Sequence, residues 1–240
     1  MAKIKLDLKS IKAIDKSGML DLLWDFPLQG EAAIDLAAKA KILFQKRDFN
    51  KIVFAGLGGS AIGADLVRSY LYFESKIPIT VLREYQLPAY VDNSTLVFIS
   101  SYSGNTEETL SSFAEAKKRG AAIICISSDG KVKEEAQKDN FTFLEIPSGL
   151  PPRCSLGYLS LVPLCLLAKF GLAADPEPFI RQMAGVLEEL RNKNLKVQVG
   201  QKDNLAKAIA WKLFNKFAVI YSSSIHFDVC ATRLLSLIHI

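Results

Sequence analysis

Residues 51–66 have the sequence KIVFAGLGGSAIGADL, in which a short apolar run meets a glycine-rich loop and then a stretch with helical spacing. The same order returns at residues 95–110, TLVFISSYSGNTEETL, where hydroxyl side chains take the place of most of the glycines. Both apolar runs are nearly continuous, which is typical of strands covered by helices on both faces of a parallel sheet. The two stretches therefore predict βαβ units.

Similar alternation extends on both sides of these stretches. Further strands are predicted at 78–82, 121–127 and 141–145, and helices at 31–46, 61–73, 105–119 and from about 131. Strands and helices that alternate at this spacing favour an α/β fold with a doubly wound, flavodoxin-like parallel sheet. Ligands of such sheets bind outside the carboxyl ends of the strands, so we expect the site at the loops after the first and third strands.

Beyond residue 151 the chain is predicted to be helical to about residue 194. A further helix is expected at 203–214, with Asp203 as its N-cap. The apolar run FAVIY at 217–221 is interpreted as the first strand of a new α/β unit. We therefore predict two domains: 1–195, with N-terminal helices, the first α/β domain and its following helices, and 203–240, the beginning of a second such domain.

Composition narrows the class of protein. Of 240 residues, 50% are hydrophobic and 23% charged, and the net charge is +5, with the basic residues scattered. No run of lysines and arginines resembles a nucleic-acid stripe or a membrane anchor, so neither partner is expected. This balance suits a small anionic substrate, although charge alone favours an ordinary solvated surface.

The cysteine pattern and the lack of a recognisable signal peptide predict a cytoplasmic location. The four cysteines form no CxxC pair, which favours free thiols in a reducing compartment, and no metal site is expected. The start of the chain lacks the apolar core of a signal peptide. The apolar stretch 155–172 contains Pro163 and Lys169 and is about as short as a membrane span can be, so a core helix is predicted there.

The first loop, GLGGSAIG at residues 56–63, leads into a helix whose first N–H groups can face an anion. It also satisfies the dinucleotide pattern GxGxxA through Gly56, Gly58 and Ala61, which is a weak signal by itself. A nicotinamide-dependent oxidoreductase would need an acidic residue about 20 positions later, whereas Glu84 follows Gly56 by 28. A tight strand–helix turn without a ligand is the remaining alternative.

The second loop, SSYSGNTEE at residues 100–108, offers the hydroxyls of Ser101, Ser103 and Thr106 around one glycine. Hydroxyls and helix-end N–H groups together can hold a phosphate. Asn105 and Glu108 also resemble a capping box, an interpretation that leaves the serines free. Two such loops on adjacent strands are much more specific than one.

These two loops resemble the sugar-phosphate loops of SIS domains. Residues 15–29, which include FPLQ at 26–29, and SGLPPR at 148–153 narrow the resemblance to the bifunctional phosphoglucose/phosphomannose isomerase family. The similarity extends from about residue 15 to Arg233. It implies an aldose–ketose isomerase that interconverts glucose 6-phosphate or mannose 6-phosphate with fructose 6-phosphate, without a cofactor, and a homodimer when full length.

The resemblance also assigns roles to individual residues. Arg153 would be catalytic, binding the sugar and stabilising the enediolate intermediate, a role suited to a permanently charged guanidinium; an ordinary surface ion pair is the alternative. The residues implied to contact the sugar phosphate or hold its phosphoryl oxygens are Gly59, Ser60, Ser101, Ser103 and Thr106.

The chain departs from the family after Arg233. The family's catalytic glutamate, in an Asn-Glu-Asn motif, and its histidine and lysine are expected further on, so we expect the chain to end before its catalytic base. His226 is expected to be structural. The tail 235–240, LSLIHI, can be encoded by a sequencing-adaptor sequence, and we hypothesise that it is foreign. A non-catalytic SIS module that binds a sugar phosphate is the alternative function.

Overall fold

A parallel β-sheet forms the centre of the fold in a computed structural model that describes residues 6–45 and 47–238. Its strands are β1 Lys51–Ala55, β2 Ile79–Leu82, β3 Thr95–Ser100, β4 Ala122–Ser127 and β5 Thr142–Glu145. They lie in the order β2-β1-β3-β4-β5, and every neighbouring pair is parallel. The predicted doubly wound sheet is thereby confirmed. Its order reverses between β1 and β3, which makes that crevice the expected binding edge.

Helices connect and surround the strands. They are α1 Leu8–Ile14, α2 Met19–Trp24, α3 Gln29–Lys39, α4 Gly59–Tyr70, α5 Glu107–Lys118, α6 Lys131–Lys138, α7 Leu156–Lys169, α8 Glu177–Leu190, α9 Leu205–Leu213 and α10 Asp228–Ile238. Short 3₁₀ turns lie at Phe26–Leu28 and Pro152–Cys154, and a π-helical turn at Arg191–Leu195. None of the helices described is long and apolar enough to cross a bilayer.

Alternation along each strand distributes the core between two layers. Ile52 and Phe54 of β1 face the layer of α3, α4 and α7, while Val53 faces the layer of α5 and α6. Phe54 stacks on Phe98 of β3 with ring centroids 4.7 Å apart. Because the central strands β1, β3 and β4 are buried on both faces, the helices on both sides of the sheet are held by burial.

The apolar stretch at 155–172 forms α7, a core helix as predicted, and contains Pro163. Pro163 has no N–H to donate to the carbonyl of Leu159, and Gly63 of α4 packs against that free carbonyl. A Cβ at Gly63 would lie 2.6 Å from the Leu159 oxygen. The missing side chain and the missing donor together bring α4 and α7 close, and α4 starts at the first loop.

Helix α3 ends earlier than the sequence pattern predicts. The helix expected at 31–46 stops at Lys39, and the ammonium of Lys169 contacts the carbonyls of Ala37, Ala38 and Ala40 at 3.2–3.3 Å. A lysine at this end satisfies carbonyls that lack helical partners. A contact from a distant helix therefore terminates α3 where local propensity alone favours continuation.

The last part of the described chain differs most from expectation. The N-cap of α9 is Asn204 rather than Asp203, because its buried side chain accepts from the Lys207 N–H at 3.1 Å and donates to the Lys196 carbonyl at 3.0 Å. Residues 217–221 form no strand: a strand needs a hydrogen-bonded neighbour, and Phe217 and Tyr221 are 92% and 91% exposed. His239 and Ile240 of the 235–240 tail lie outside the described residues.

Candidate functional site

The first and second loops meet at the carboxyl edge of the sheet, where β1 and β3 lie side by side. A Cβ at Gly56 would lie 2.7 Å from the carbonyl oxygen of Ser100, so only glycine allows the two backbones to approach this closely. Ser60, in the first turn of α4, is buried, and its hydroxyl accepts a hydrogen bond from the Tyr102 N–H at 3.3 Å. The predicted pair of loops therefore forms one continuous surface.

Hydroxyl groups shape the second loop. The hydroxyl oxygens of Ser101 and Thr106 are 3.0 Å apart, and the Gly104 N–H donates to the Ser101 hydroxyl at 3.1 Å. Ser103 is exposed, and its hydroxyl accepts from the Asn105 N–H at 3.3 Å. Gly104 has φ of +69°, which turns the chain back toward Ser101. Three hydroxyls thus lie on one tight turn at the start of α5.

The predicted capping box at this turn is wrong. The N-cap of α5 is Thr106, one residue after Asn105, and no side chain caps the helix. The Asn105 amide instead accepts from the Lys131 N–H at 3.1 Å and donates to the Ser103 carbonyl at 3.1 Å. Asn105 therefore joins the second loop to the loop after β4. The first N–H groups of α5 have no capping side chain and point toward the second loop.

A third segment, residues 147–153, lies against these two loops, and we call it the arginine loop. Arg153 occupies its 3₁₀ turn and is half-buried. A Cβ at Gly59 would lie 3.0 Å from the Pro152 carbonyl oxygen, so the arginine loop passes directly over the start of α4. At its other end, the Tyr102 hydroxyl donates to the Pro147 carbonyl at 3.0 Å and accepts from the Leu150 N–H at 2.7 Å.

Gln29 fastens the end of the arginine loop from the other side of the fold. Its buried amide donates to the Cys154 carbonyl at 2.6 Å and accepts from the Gly157 N–H at 2.9 Å. Gly157 has no space for a side chain, because a Cβ there would lie 2.6 Å from atoms of Gln29. The FPLQ segment contributes to the family resemblance, but no sequence pattern indicates a role for its glutamine.

The ends of α4 and α5 that meet the loops differ in charge. Neither α4 nor α5 has a side-chain cap, so both present positive helix ends at the switch point. Glu107 and Glu108 lie in the first turn of α5, and the charge of Glu108 raises the pKa of Tyr85. Burial raises the pKa of the Cys154 thiol beside Arg153, which keeps that cysteine neutral.

Sequence comparison assigns the chain to a family. Residues 45–147 match the SIS domain family. The chain is 44% identical over 215 residues to the bifunctional phosphoglucose/phosphomannose isomerase of Caldicellulosiruptor bescii, covering 90% of this chain and 63% of that protein. The chain belongs to the bifunctional phosphoglucose/phosphomannose isomerase family. A relative of the same description from Aquifex aeolicus is 38% identical over 176 residues, or 73% of this chain and 51% of that protein. The chain thus spans between half and two thirds of these family members.

Solved structures share the fold at low sequence identity. A hypothetical protein from Thermus thermophilus superposes with a TM-score of 0.60 at 20% identity, covering 86% of this chain and 50% of that one. Tagatose-6-phosphate ketose/aldose isomerase from Escherichia coli also gives 0.60, at 15% identity, covering 92% and 62%. These likenesses establish the α/β architecture.

Proposed function

We propose that the chain binds a hexose 6-phosphate, and that the protein to which it belongs interconverts glucose 6-phosphate or mannose 6-phosphate with fructose 6-phosphate. The observation that carries the proposal is the convergence of three segments at the switch point. They are the second loop, the uncapped start of α4 and the arginine loop with Arg153. The second loop contributes the hydroxyls of Ser101, Ser103 and Thr106. Hydroxyl and N–H donors suit phosphoryl oxygens, and a guanidinium suits a developing oxyanion.

The division of labour follows from this chemistry. Gly59 and Ser60 begin α4, and a Cβ at Gly59 would lie 3.0 Å from the Pro152 carbonyl oxygen, so a side chain there would crowd the arginine loop. The second loop would hold the phosphoryl group, which fixes the distance from the phosphorus to the reacting carbons. Arg153 would then stabilise the negative charge of the enediolate, an interaction stronger in the transition state than with the ground-state sugar.

We further propose that proton transfer between C2 and C1 depends on residues beyond this chain. One acidic group on α4 and one imidazole beyond its end already have other partners. Asp65 pairs with Arg83, and with Arg68 at 3.3 Å, while His226 packs against Phe73, beyond the end of α4 remote from the loops. A longer gene product, acting as a homodimer, would supply the base.

A coupled assay with fructose 6-phosphate tests the activity. The 240-residue chain should show little turnover, and the longer gene product should be faster by about 10² to 10⁴, the usual contribution of a positioned base. Comparable rates in the two would contradict the proposed origin of the base. Tight binding with no turnover in either protein would favour the alternative, a SIS module that binds a sugar phosphate without reaction.

A further inference from the structure

Arg233 lies 80 residues from Arg153 in sequence and contacts it directly in the structure. Its guanidinium, on α10, donates to the backbone carbonyl of Arg153, and the Arg233 side chain is half-buried there. A guanidinium that donates to a carbonyl forms a charge-assisted hydrogen bond, which is stronger than a neutral one. The contact fixes the backbone at the residue whose side chain is proposed to meet the substrate.

Helix α10 has a defined position from which Arg233 can act. Val229 is buried against the body of the protein, and the Ser69 hydroxyl donates to the Ile225 carbonyl at 2.7 Å. Asp228 lies 3.9 Å from the guanidinium of Arg68. Both anchoring residues, Ser69 and Arg68, belong to α4, which also begins under the arginine loop. Helix α10 and the arginine loop therefore both contact α4, which fixes their positions relative to each other.

Two positive charges lie close together at this contact. Burial lowers the pKa of Arg233; the nearby Cys154 thiol opposes this effect, and the charge of Arg153 lowers the pKa to a smaller extent. Across residues 6–45 and 47–238, no carboxylate forms an ion pair with either guanidinium. The contact therefore places a second guanidinium next to Arg153, and adjacent like charges repel each other.

We propose that Arg233 is a positioning residue for Arg153: it holds the arginine loop over the start of α4. The identity of the ligand, a phosphosugar and its enediolate, rests on the proposed function. The positioning itself does not, since the contact exists in the free protein. Gln29 holds the same loop through Cys154, so Arg233 acts on the residue that Gln29 does not reach.

The positioning role can be measured without any ligand through the thiol of Cys154. Cys154 is 1% exposed and follows Arg153, whereas Cys125 in β4 is 0% exposed and reports global unfolding. Arg233→Gln should raise the rate of maleimide labelling at Cys154 by about tenfold, from loss of one charge-assisted hydrogen bond, and leave Cys125 unchanged. Site-resolved labelling by mass spectrometry gives both rates from one sample.

A matched control is available at Arg119, which follows the end of α5 remote from the second loop and whose guanidinium donates to the Pro88 carbonyl at 2.6 Å. Arg119→Gln should leave Cys154 labelling unchanged. An unchanged Cys154 rate in Arg233→Gln, or an equal rise at Cys125, would overturn the proposal. Arg233→Lys, which keeps the charge and a donor, should restore most of the protection; full labelling in this variant would also contradict it if Cys125 stays protected.

Calorimetric titration of fructose 6-phosphate then tests the connection to the substrate. Arg233→Gln and Arg153→Gln should each weaken binding by about tenfold, and the double variant should be no weaker than Arg153→Gln. Effects that multiply would mean that Arg233 does not act through Arg153. If the unaltered chain does not bind fructose 6-phosphate, the proposed function fails, while the labelling result still decides whether Arg233 positions the loop.

Discussion

The substitution Gly104→Ala tests whether the second loop depends on its close approach to the loop after β4. Gly104 has φ of +69°, and a Cβ there would lie 1.7 Å from the Asp129 carbonyl oxygen and 2.8 Å from the Ser127 hydroxyl. The left-handed conformation alone costs an alanine about 1–2 kcal/mol. The overlapping atom belongs to the backbone and cannot rotate away. Because carbon and oxygen atoms in contact are usually about 3 Å or more apart, the two loops must also separate by more than about 1 Å.

That separation would break the bonds that join the loops. The Val132 N–H donates to the Gly104 carbonyl at 3.0 Å, and the Lys131 N–H donates to the Asn105 amide oxygen at 3.1 Å. With roughly 1 kcal/mol for each hydrogen bond, the total loss of unfolding free energy should be about 3–4 kcal/mol. Affinity for fructose 6-phosphate should fall as well, because Ser101 and Thr106 would no longer share one turn.

Gly171→Ala is the matched control for urea unfolding followed by circular dichroism. Gly171 has φ of +75° but no atom within 4 Å of an added Cβ. The unfolding free energy of Gly171→Ala should therefore fall by about 1–2 kcal/mol, the cost of the left-handed conformation alone. The two variants should therefore differ by about 2 kcal/mol. Equal losses, or unchanged sugar-phosphate affinity in Gly104→Ala, would refute the claim that backbone contact between these loops shapes the site.

Three further outcomes follow from individual contacts. Gln29→Leu should lower the unfolding free energy by about 2–4 kcal/mol in a urea titration, because a backbone carbonyl and an N–H lose their buried partner; a loss below about 1 kcal/mol would contradict this. Ser101→Ala with Ser103→Ala should weaken fructose 6-phosphate binding by roughly 1 kcal/mol each in calorimetry, and unchanged affinity would exclude these hydroxyls. The Leu87 N–H, and secondarily Arg119, hold the pKa of Glu115 below its ordinary value of 4.5, so its stabilisation is complete above that pH and is lost as pH falls through the lower folded-state pKa. In Glu115→Gln, the thermal unfolding midpoint should therefore decrease less steeply below pH 4.5. An unchanged slope would mean that this carboxylate does not contribute to the pH dependence of stability.

Local patterns predicted the sheet well because its strands are bounded by their own residues. The bounds of β1 and β3 agree with the apolar runs at 51–55 and 95–100, since each run ends where the polar or glycine-rich loop begins. Helix ends were less predictable. Helix α3 stops where Lys169 reaches it, and α5 starts two residues after the predicted position because Asn105 bonds to the next loop.

Loop chemistry indicated the hydroxyls of Ser101, Ser103 and Thr106, and the family resemblance added Gly59, Ser60 and Arg153. Neither indicated the contacts that hold these segments in place. Gln29 is 125 residues from Cys154 in sequence, and Arg233 is 80 residues from Arg153. Neither pair has a spacing or periodicity that links its members, so only the folded backbone brings them together. The expected strand at 217–221 failed for the same reason, because an apolar run specifies a strand only when a neighbouring strand is in place.

Calorimetric titration of the 240-residue chain with fructose 6-phosphate, beside a titration with free fructose, tests whether the loops at the switch point bind a sugar phosphate. We predict saturable binding of about one fructose 6-phosphate per chain, and no measurable binding of fructose, because the loops at the switch point provide donors for the phosphoryl group. Equal binding of both sugars, or binding of neither, would contradict the assignment of these loops to a sugar phosphate.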